Sequence, residues 1–231
     1  MRRGVAAMSD VMNPDWELLL ESVARPGHEN MAIDEQLLHR AVADSVSTLR
    51  FYQWDQPTVS LGYFQKDHDS IPERFAGLPV VSRLSGGGAI LHDRELTYSL
   101  ALAKSDPWAS DPSRLYSLVH NEIIGAFAEL GLKSQLRGDV AADPAMQTFL
   151  CFSRVDANDI VVGSQKIVGS AQRRRKGCVL QHGSILMQAS RVAPEFPGMS
   201  ELGVKTTFDD LAGCLAERLA HLASPSNDGD V

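Results

Sequence analysis

The chain has 231 residues, 44% of them hydrophobic, which suits one large domain or a domain with a small appendage. Its net charge of −7 argues against nucleic acid as the main partner, because phosphate binding needs a basic face. No apolar run approaches the roughly 20 residues that cross a bilayer, and the start, MRRGVAAMSD, lacks the apolar centre of a signal peptide. These features predict a cytoplasmic, monomeric domain over residues 14–222 with no membrane contact, between flexible termini at 1–13 and 224–231.

The first half of the chain opens with a short apolar patch, Trp16 to Leu20, that suits a strand or half a helical turn. An amphipathic helix is predicted over Asn30 to Val46, with Asp34 and Glu35 in its first turns, where the helix dipole favours acidic side chains. Strands with β-like composition are then predicted at Leu49 to Trp54, Thr58 to Leu61, Val80 to Arg83, Ala89 to Leu91 and Leu96 to Ala103.

In the second half, Asp111-Pro112 opens a helix that runs to about Leu130 and is capped by Gly131. The elements predicted after it are, in chain order, a polar loop over Lys133 to Gln147, strands at Asn158 to Val162, Gln165 to Ser170 and Val179 to Met187, and an amphipathic helix over Thr207 to Leu222 capped by Thr206 or Thr207. Because the strands come in clusters with hairpin-length links, the order favours an α+β fold with a mixed, largely antiparallel sheet flanked by helices.

A run of glycines, Ser85-Gly86-Gly87-Gly88, is the first candidate for chemistry. Such a run lets the backbone approach a ligand closely and point N–H groups at an anion or a carbonyl oxygen. It has neither the spacing of a Walker A loop nor that of a dinucleotide fingerprint, and a plain tight turn would need the same glycines. Arg83 before the run and His92 after it favour a ligand site.

Lys166 lies in a β-like segment, where alternation places it on the same face as Val168. Because burying an ammonium is costly, Lys166 either binds a carboxylate, phosphate or carbonyl, acts as an acid or base, or is an exposed edge-strand lysine. Cys151 has apolar neighbours, which suits inert packing, unless a cation such as Lys166 favours its thiolate. Cys178 and Cys214 are expected to pack, and the three cysteines form no C-x-x-C pair, as in reduced cytosolic proteins.

Four consecutive cations, Arg173 to Lys176, stand out in this acidic chain. They form either a solvated hairpin turn ended by Gly177 or a docking site for an acidic partner, and the sequence leaves both open. His92 and His182 are the histidines in the most suggestive settings. No histidine or cysteine spacing supports a metal site.

Four segments together resemble the lipoate–protein ligase and octanoyltransferase family, which is related to biotin ligases. They are Asn30 to Glu35, Arg50 to Gln65, Ser82 to Ser99 and Lys166 to Ala171. The resemblance implies a biotin-synthetase-like fold, similar to class II aminoacyl-tRNA synthetases. It also implies transfer of an octanoyl or lipoyl group to a lysine of a lipoyl domain or of the glycine-cleavage H protein.

The family has two chemistries, and the resemblance favours the octanoyltransferase branch. That branch takes its acyl group from octanoyl-acyl carrier protein through a cysteine thioester and needs no cofactor, whereas ligases use ATP and Mg and form a lipoyl-adenylate. The Cys151-Phe152 pair, the segment Lys166 to Gln172 and the strand Leu180 to Ile185 look transferase-like. Gly88, where this branch usually has arginine, leans toward a ligase, and the single Arg83, where ligases usually have paired arginines, leans away.

The resemblance thus implies catalytic roles for Cys151 and Lys166. The implied substrate-binding residues are Arg83, Ser85, Gly86, Gly87, Gly88, His92, Gly169, Ser170, Ala171 and His182. A relative that only binds acyl groups is a third alternative. The sequence leaves open the choice between octanoyl and lipoyl donors and the identity of the acceptor.

Overall fold

The computed structural model describes residues 15–65, 71–139, 149–153 and 155–223. A seven-stranded sheet lies at its centre, in the spatial order β1-β2-β6-β10-β9-β8-β7. The β1–β2 pair is parallel, and every other adjacent pair of this sheet is antiparallel. Its strands are β1 Trp16–Leu20, β2 Ser47–Tyr52, β6 Glu95–Leu102, β7 Gln135–Leu136, β8 Ile160–Val162, β9 Gln165–Arg175 and β10 Cys178–Leu186.

A second, three-stranded sheet has the order β4-β3-β5 and its own apolar core, which includes Val59, Leu61 and Phe75. Gln56-Pro57 separates β2 from β3, because proline has no N–H to continue a ladder. The strands of this small sheet are β3 Thr58–Leu61, β4 Val80–Ser82 and β5 Ile90–His92.

Helices cover both faces of the large sheet, since successive side chains of its strands point to opposite faces and both faces are apolar. Leu37 and Leu38 of the first helix pack with Leu180 of β10 on one face. Residues of the other two helices, such as Leu115 and Leu211, pack on the opposite face in the main core. The helices are α1 Gly27–Ala43, α2 Pro112–Glu129 and α3 Phe208–Leu219, with short 3₁₀ turns at Glu73–Phe75, Pro107–Ser110, Cys151–Ser153 and Ala220–Ala223.

This architecture confirms the predicted α+β fold with a mixed, largely antiparallel sheet. Gly131 follows α2 with a φ of 85°, and the Thr207 side chain accepts from the Asp210 N–H at the start of α3, both as predicted. No helix among the described residues is long and apolar enough to span a membrane. The termini that were predicted to be flexible, 1–13 and 224–231, lie outside the described residues.

Three sequence-based expectations were wrong. The helix α1 begins at Gly27, three residues early, so Asp34 lies beyond its first turn, where it pairs with Arg50 instead of serving the helix dipole. The predicted loop after α2 contains the two-residue strand β7, because a short stretch there pairs with β8; residues 140–147 of that loop lie outside the described part. Strand β9 continues five residues past Ser170 because β10 pairs with it throughout, so Arg173 to Arg175 belong to a strand.

The hairpin turn itself is therefore only Lys176-Gly177. Both residues have positive φ, 53° and 85°, the conformation of a type I′ turn, which matches the twist of the flanking strands. The three arginines are consequently held in an extended strand that leads out to this turn.

Candidate active site

A cavity of about 380 Å³ opens among α1, β9, β10, the small sheet and the glycine loop. Eleven of the twelve residues singled out in the sequence line it, and Ser85 is the exception. Those eleven are Arg83, Gly86, Gly87, Gly88, His92, Cys151, Lys166, Gly169, Ser170, Ala171 and His182. Residues far apart in the chain therefore meet at one place.

Cys151 is brought to the cavity by a short bridge to the end of the glycine loop. Ala89 pairs with Leu150, and the Cys151 N–H donates to the Ala89 carbonyl at 2.6 Å. The thiol is free and half-buried, while Cys178 is buried in the core beneath α1, where its thiol donates to the Ala41 carbonyl. Cys214, on α3, has a thiol whose pKa burial and the Glu129 carboxylate raise to about 11, so it is poorly suited to act as a nucleophile. Cys151 is the cysteine that the described part of the chain places in the cavity.

Lys166 is buried, only 6% exposed, so it is not an exposed edge-strand lysine. Its Nζ lies 2.7 Å from the Asp159 Oδ1 and donates to the Cys151 carbonyl at 3.3 Å. The same Nζ lies 5.3 Å from the centroid of the Phe152 ring. A Cβ at Gly169 would come within 2.8 Å of the Lys166 Cε, so the glycine leaves room for this side chain. The ammonium is thus fixed beside the backbone of the cysteine.

Asp159 belongs to this group although nothing in its local sequence predicts it, since Asn158-Asp159 looks like a turn. Burial raises the pKa of Asp159, and the Lys166 ammonium acts in the opposite direction. The Asp159 Oδ2 accepts from the Asp156 N–H at 2.9 Å and lies 3.6 Å from the Arg137 Nε. A signal did exist: a lysine in a half-buried strand needs a counter-ion, and the preceding strand begins one residue after Asp159.

The glycine loop is held from inside by Arg83. Its guanidinium donates to the carbonyls of Ser60, Gly86 and Gly88 at 2.9, 2.8 and 2.6 Å. Gly87 has a φ of 96°, and a Cβ at Gly62 would collide with the Gly87 carbonyl oxygen. These contacts fix the loop against the small sheet. Substrate binding by Arg83 stays a prediction, because these three hydrogen bonds all go to the protein's own backbone.

Two serine–histidine–carboxylate chains lie behind this loop, each fully within the protein. The Ser85 hydroxyl meets the His182 Nε2, and the His182 Nδ1 lies 3.3 Å from the Asp34 Oδ2. Assigning the ring proton to Nδ1 makes Ser85 the donor to His182 and His182 the donor to Asp34. Ser85 is completely buried, and its contact with His182 fastens the loop to β10 and α1. Substrate binding by Ser85 stays a prediction.

The second chain has the same order of groups. The Ser60 Oγ lies 2.7 Å from the His92 Nε2, and the His92 Nδ1 lies 2.7 Å from the Glu95 Oε1. The His92 ring stacks on Trp54 with 3.9 Å between centroids. His92 and His182 therefore form one side of the cavity, with both ring nitrogens of each histidine in contact with protein groups.

Asp34 connects the His182 chain to the large sheet. Burial opposes its charge, but hydrogen bonds from His182 and Ser99 and the charge of the Arg50 guanidinium prevail, so the pKa of Asp34 is lowered. Tyr52 and Ser99 donate to the same carboxylate at 3.0 and 2.8 Å. The carboxylate is thus an ionised, saturated anchor.

Ser170 belongs to a third network on the α2 side of β9. Its Oγ lies 2.7 Å from both the Tyr98 hydroxyl and the His120 Nε2. Burial lowers the pKa of His120 to about 4, so the ring is neutral at pH 7. A neutral His120 accepts from Ser170 and donates from Nδ1 to the Asn158 carbonyl, which fixes β9 where it lines the cavity.

Within the described ranges, no three histidine, cysteine, aspartate or glutamate side chains are grouped so that they could hold a metal ion. The cavity instead joins a half-buried thiol, an ion-paired ammonium and a glycine loop. Such an arrangement can bind an acyl carbonyl and offer a sulfur nucleophile to it.

Comparison with solved structures places the fold among the lipoate–protein ligases. The protein Ta0514 of T. acidophilum, solved with bound lipoic acid, matches with a TM-score of 0.70 at 23% identity over 89% of this chain and 84% of that chain. Lipoate–protein ligase A bound with ATP matches with a TM-score of 0.67 at 24% identity over 89% of this chain and 85% of that chain. The fold expected from the resemblance is therefore confirmed.

Residues 26–201 match the family model of the lipoyl protein ligase A/B catalytic domain, and the chain belongs to this family. Octanoyltransferase LipM of Symbiobacterium thermophilum is 39% identical over 186 residues, which cover 76% of this chain and 66% of the relative. Octanoyltransferase LipM of Moorella thermoacetica is 40% identical over 181 residues, which cover 74% of this chain and 65% of the relative. The chain thus spans slightly less than two thirds of the length of these two relatives.

Proposed function

We propose that this chain is an octanoyltransferase that moves an octanoyl group from octanoyl-acyl carrier protein to a lysine of a lipoyl domain or of the glycine-cleavage H protein. The observation that carries this proposal is the meeting of Cys151 and Lys166 in the cavity, with the Lys166 Nζ 3.3 Å from the Cys151 carbonyl oxygen. Similarity to two octanoyltransferases at 39% and 40% identity supports it. A thiol nucleophile must stay reduced, so we assign the reaction to the cytosol.

The first step exchanges one thioester for another. The Cys151 thiol loses its proton to solvent, and the thiolate attacks the acyl carbonyl carbon. The carbonyl oxygen becomes an oxyanion, and its collapse breaks the C–S bond to the carrier. The carrier thiolate leaves and takes up a proton. Because the bond broken and the bond formed are of the same kind, this step is roughly neutral in energy and needs no ATP or metal.

The second step transfers the acyl group to the acceptor. A lysine that has lost its proton to solvent attacks the Cys151 thioester through its neutral amine, an amide forms, and the C–S bond breaks. The proton of the attacking nitrogen goes to the leaving sulfur, which restores the thiol. An amide is more stable than a thioester, so the step is downhill.

Lys166 is the group that we assign to the developing oxyanion in both steps. Two of its three N–H donors point to Asp159 and to the Cys151 carbonyl, and among the described residues one donor is left for the acyl oxygen. Asp159 pairs with the ammonium and holds it in place. The backbone of Gly86 to Gly88 gives the acyl group close access, and the remaining cavity wall receives its chain.

An ATP-dependent lipoate–protein ligase is the second candidate, because the solved ligase with bound ATP has the same fold. That route would need Arg83 to hold an adenylate phosphate. The Arg83 guanidinium instead donates to the carbonyls of Gly86 and Gly88. Because the guanidinium is engaged in these hydrogen bonds with the glycine loop, its contacts favour the transferase over the ligase.

The test is incubation of the protein with octanoyl-acyl carrier protein without ATP, followed by intact-mass analysis. We expect a gain of one octanoyl group on the wild type and none on Cys151→Ser. Cys214→Ser is the matched control, since Cys214 is also partly exposed but lies on α3, and it should be acylated like the wild type. Transfer that strictly requires ATP and survives Cys151→Ser would refute the proposal in favour of the ligase.

A further inference from the structure

The tip of the β9–β10 hairpin concentrates positive charge in a chain of net charge −7. Arg174, Arg175 and Lys176 are exposed there. Lys104 lies beside them, because a Cβ at Gly177 would come within 3.0 Å of its side chain. We call these four residues the cationic tip. Like charges that are neighbours repel one another, so an anionic partner would stabilise the tip.

Two exposed aromatic side chains lie between this tip and the cavity. Tyr63 is 48% exposed and Phe64 is 80% exposed, and their rings meet edge to face. The Arg173 guanidinium lies 4.6 Å from the centroid of the Tyr63 ring, which joins the pair to β9. Phe64 lies over Gly86 of the glycine loop, in van der Waals reach of a Cβ placed there. Exposed aromatic residues next to cations are typical of a protein interface.

Strand β9 connects the cationic tip to the reacting groups. It runs from Gly169, which touches Lys166, to Arg175 at the tip, six residues that span about 20 Å at about 3.3 Å per residue.

We propose that the cationic tip and the aromatic pair Tyr63 and Phe64 form the docking surface for the acyl donor, an acidic carrier protein that delivers its thioester on a long prosthetic arm. This inference rests on the proposed function. The distance of about 20 Å decides between donor and acceptor, because a lysine side chain, with four methylenes, does not bridge it from a domain seated on the tip. A long prosthetic arm of the donor that extends along β9 bridges this distance.

The experiment compares two donors on Arg174→Glu/Arg175→Glu: octanoyl-acyl carrier protein, and octanoyl-pantetheine, which has the arm but no carrier. The ratio of kcat/KM for the carrier donor to kcat/KM for octanoyl-pantetheine should fall about tenfold. Added salt should lower this ratio in the wild type and change it less in the variant. Lys133→Glu, which makes the same kind of charge reversal at an exposed lysine outside this surface, should keep the wild-type ratio.

A binding measurement makes the test independent of turnover. Labelled octanoyl-acyl carrier protein is titrated into Cys151→Ser with and without the two charge reversals, and affinity should fall about tenfold with them. The charge-neutralising variant Arg174→Gln/Arg175→Gln replaces the charge-reversal variant if the latter does not fold. An unchanged affinity and ratio overturn the docking surface, as does a rise in KM for the acceptor alone. A wild type that binds the carrier here but turns over neither donor refutes the proposed function and leaves this surface supported.

Discussion

The two sides of the cavity differ in how their polar groups are engaged. On one side, Cys151 is half-buried with a free thiol, and within the described part of the chain the Lys166 ammonium keeps a donor beyond its contacts with Asp159 and the Cys151 carbonyl. On the other side, His92 and His182 have both ring nitrogens in contact with protein groups. The first side therefore has capacity for chemistry, and the second side fixes the shape of the glycine loop. Variants on the two sides should accordingly separate activity from stability.

Lys166→Met should produce the largest effect, on the reactive side. We expect kcat/KM for octanoyl transfer to fall about 10³-fold, close to 4 kcal/mol, because the oxyanion loses its cation. The loss of stability should be smaller than the loss of activity, because the Asp159 carboxylate keeps its contacts with the Asp156 N–H and the Arg137 guanidinium. Steady-state kinetics of octanoyl transfer measures kcat/KM, and urea unfolding measures the stability. A loss below tenfold would contradict the role given to Lys166, with Lys133→Met as the control.

Arg83→Met should show the opposite pattern. Its guanidinium holds the carbonyls of Ser60, Gly86 and Gly88, and leaving them unpaired should lower the free energy of unfolding by about 3 kcal/mol. Urea unfolding measures this. Arg114→Met removes an exposed arginine from the face of Trp108 and should cost less than about 1 kcal/mol. Equal costs for the two variants would show that Arg83 does not fix the loop.

Asp159→Asn should lower kcat about 30-fold, near 2 kcal/mol, with a smaller change in donor KM, because Lys166 loses the anion that positions it. Asp159→Glu should restore part of kcat. Asp106→Asn is the matched control: Asp106 is also buried with a raised pKa, but it contacts Ser47 and Trp108. It should lower stability and leave kcat unchanged. A purely structural Asp159 would behave in the same way as this control.

The smallest effect is a pH dependence of stability from His120. Its folded pKa of about 4 lies below the unfolded value near 6.5, so the unfolded chain binds a proton first as pH falls. Stability is complete above pH 6.5 and is lost progressively down to pH 4, with about 1 kcal/mol gone at pH 5.5. Urea unfolding at pH 7.5 and 5.5 should show this loss in the wild type and less in His120→Gln. An equal loss of stability between the two pH values in the wild type and in the variant would mean that His120 is not buried in its neutral form.

The sequence predicted most strands and helices because hydrophobic period and turn residues are local signals. It also selected Lys166 and Cys151, since a lysine in a β-like setting and a family motif are visible in the chain. It missed Asp159 and misplaced Asp34, because each aspartate is explained by an ion pair with a residue of another element, which forms only once the chain is folded. Likewise, Arg83 and Ser85 were picked as ligand contacts, yet their protein partners are set by tertiary packing.

The central claim is that Cys151 carries the acyl group on its way to the acceptor. The direct test is a chase: octanoylated protein is freed of donor, mixed with a lipoyl domain without ATP, and both proteins are weighed by mass spectrometry over time. We expect the octanoyl mass to leave Cys151 and to appear on the acceptor lysine at the same rate. An octanoyl group that stays on the protein, or is lost to water while the acceptor gains nothing, would contradict this account.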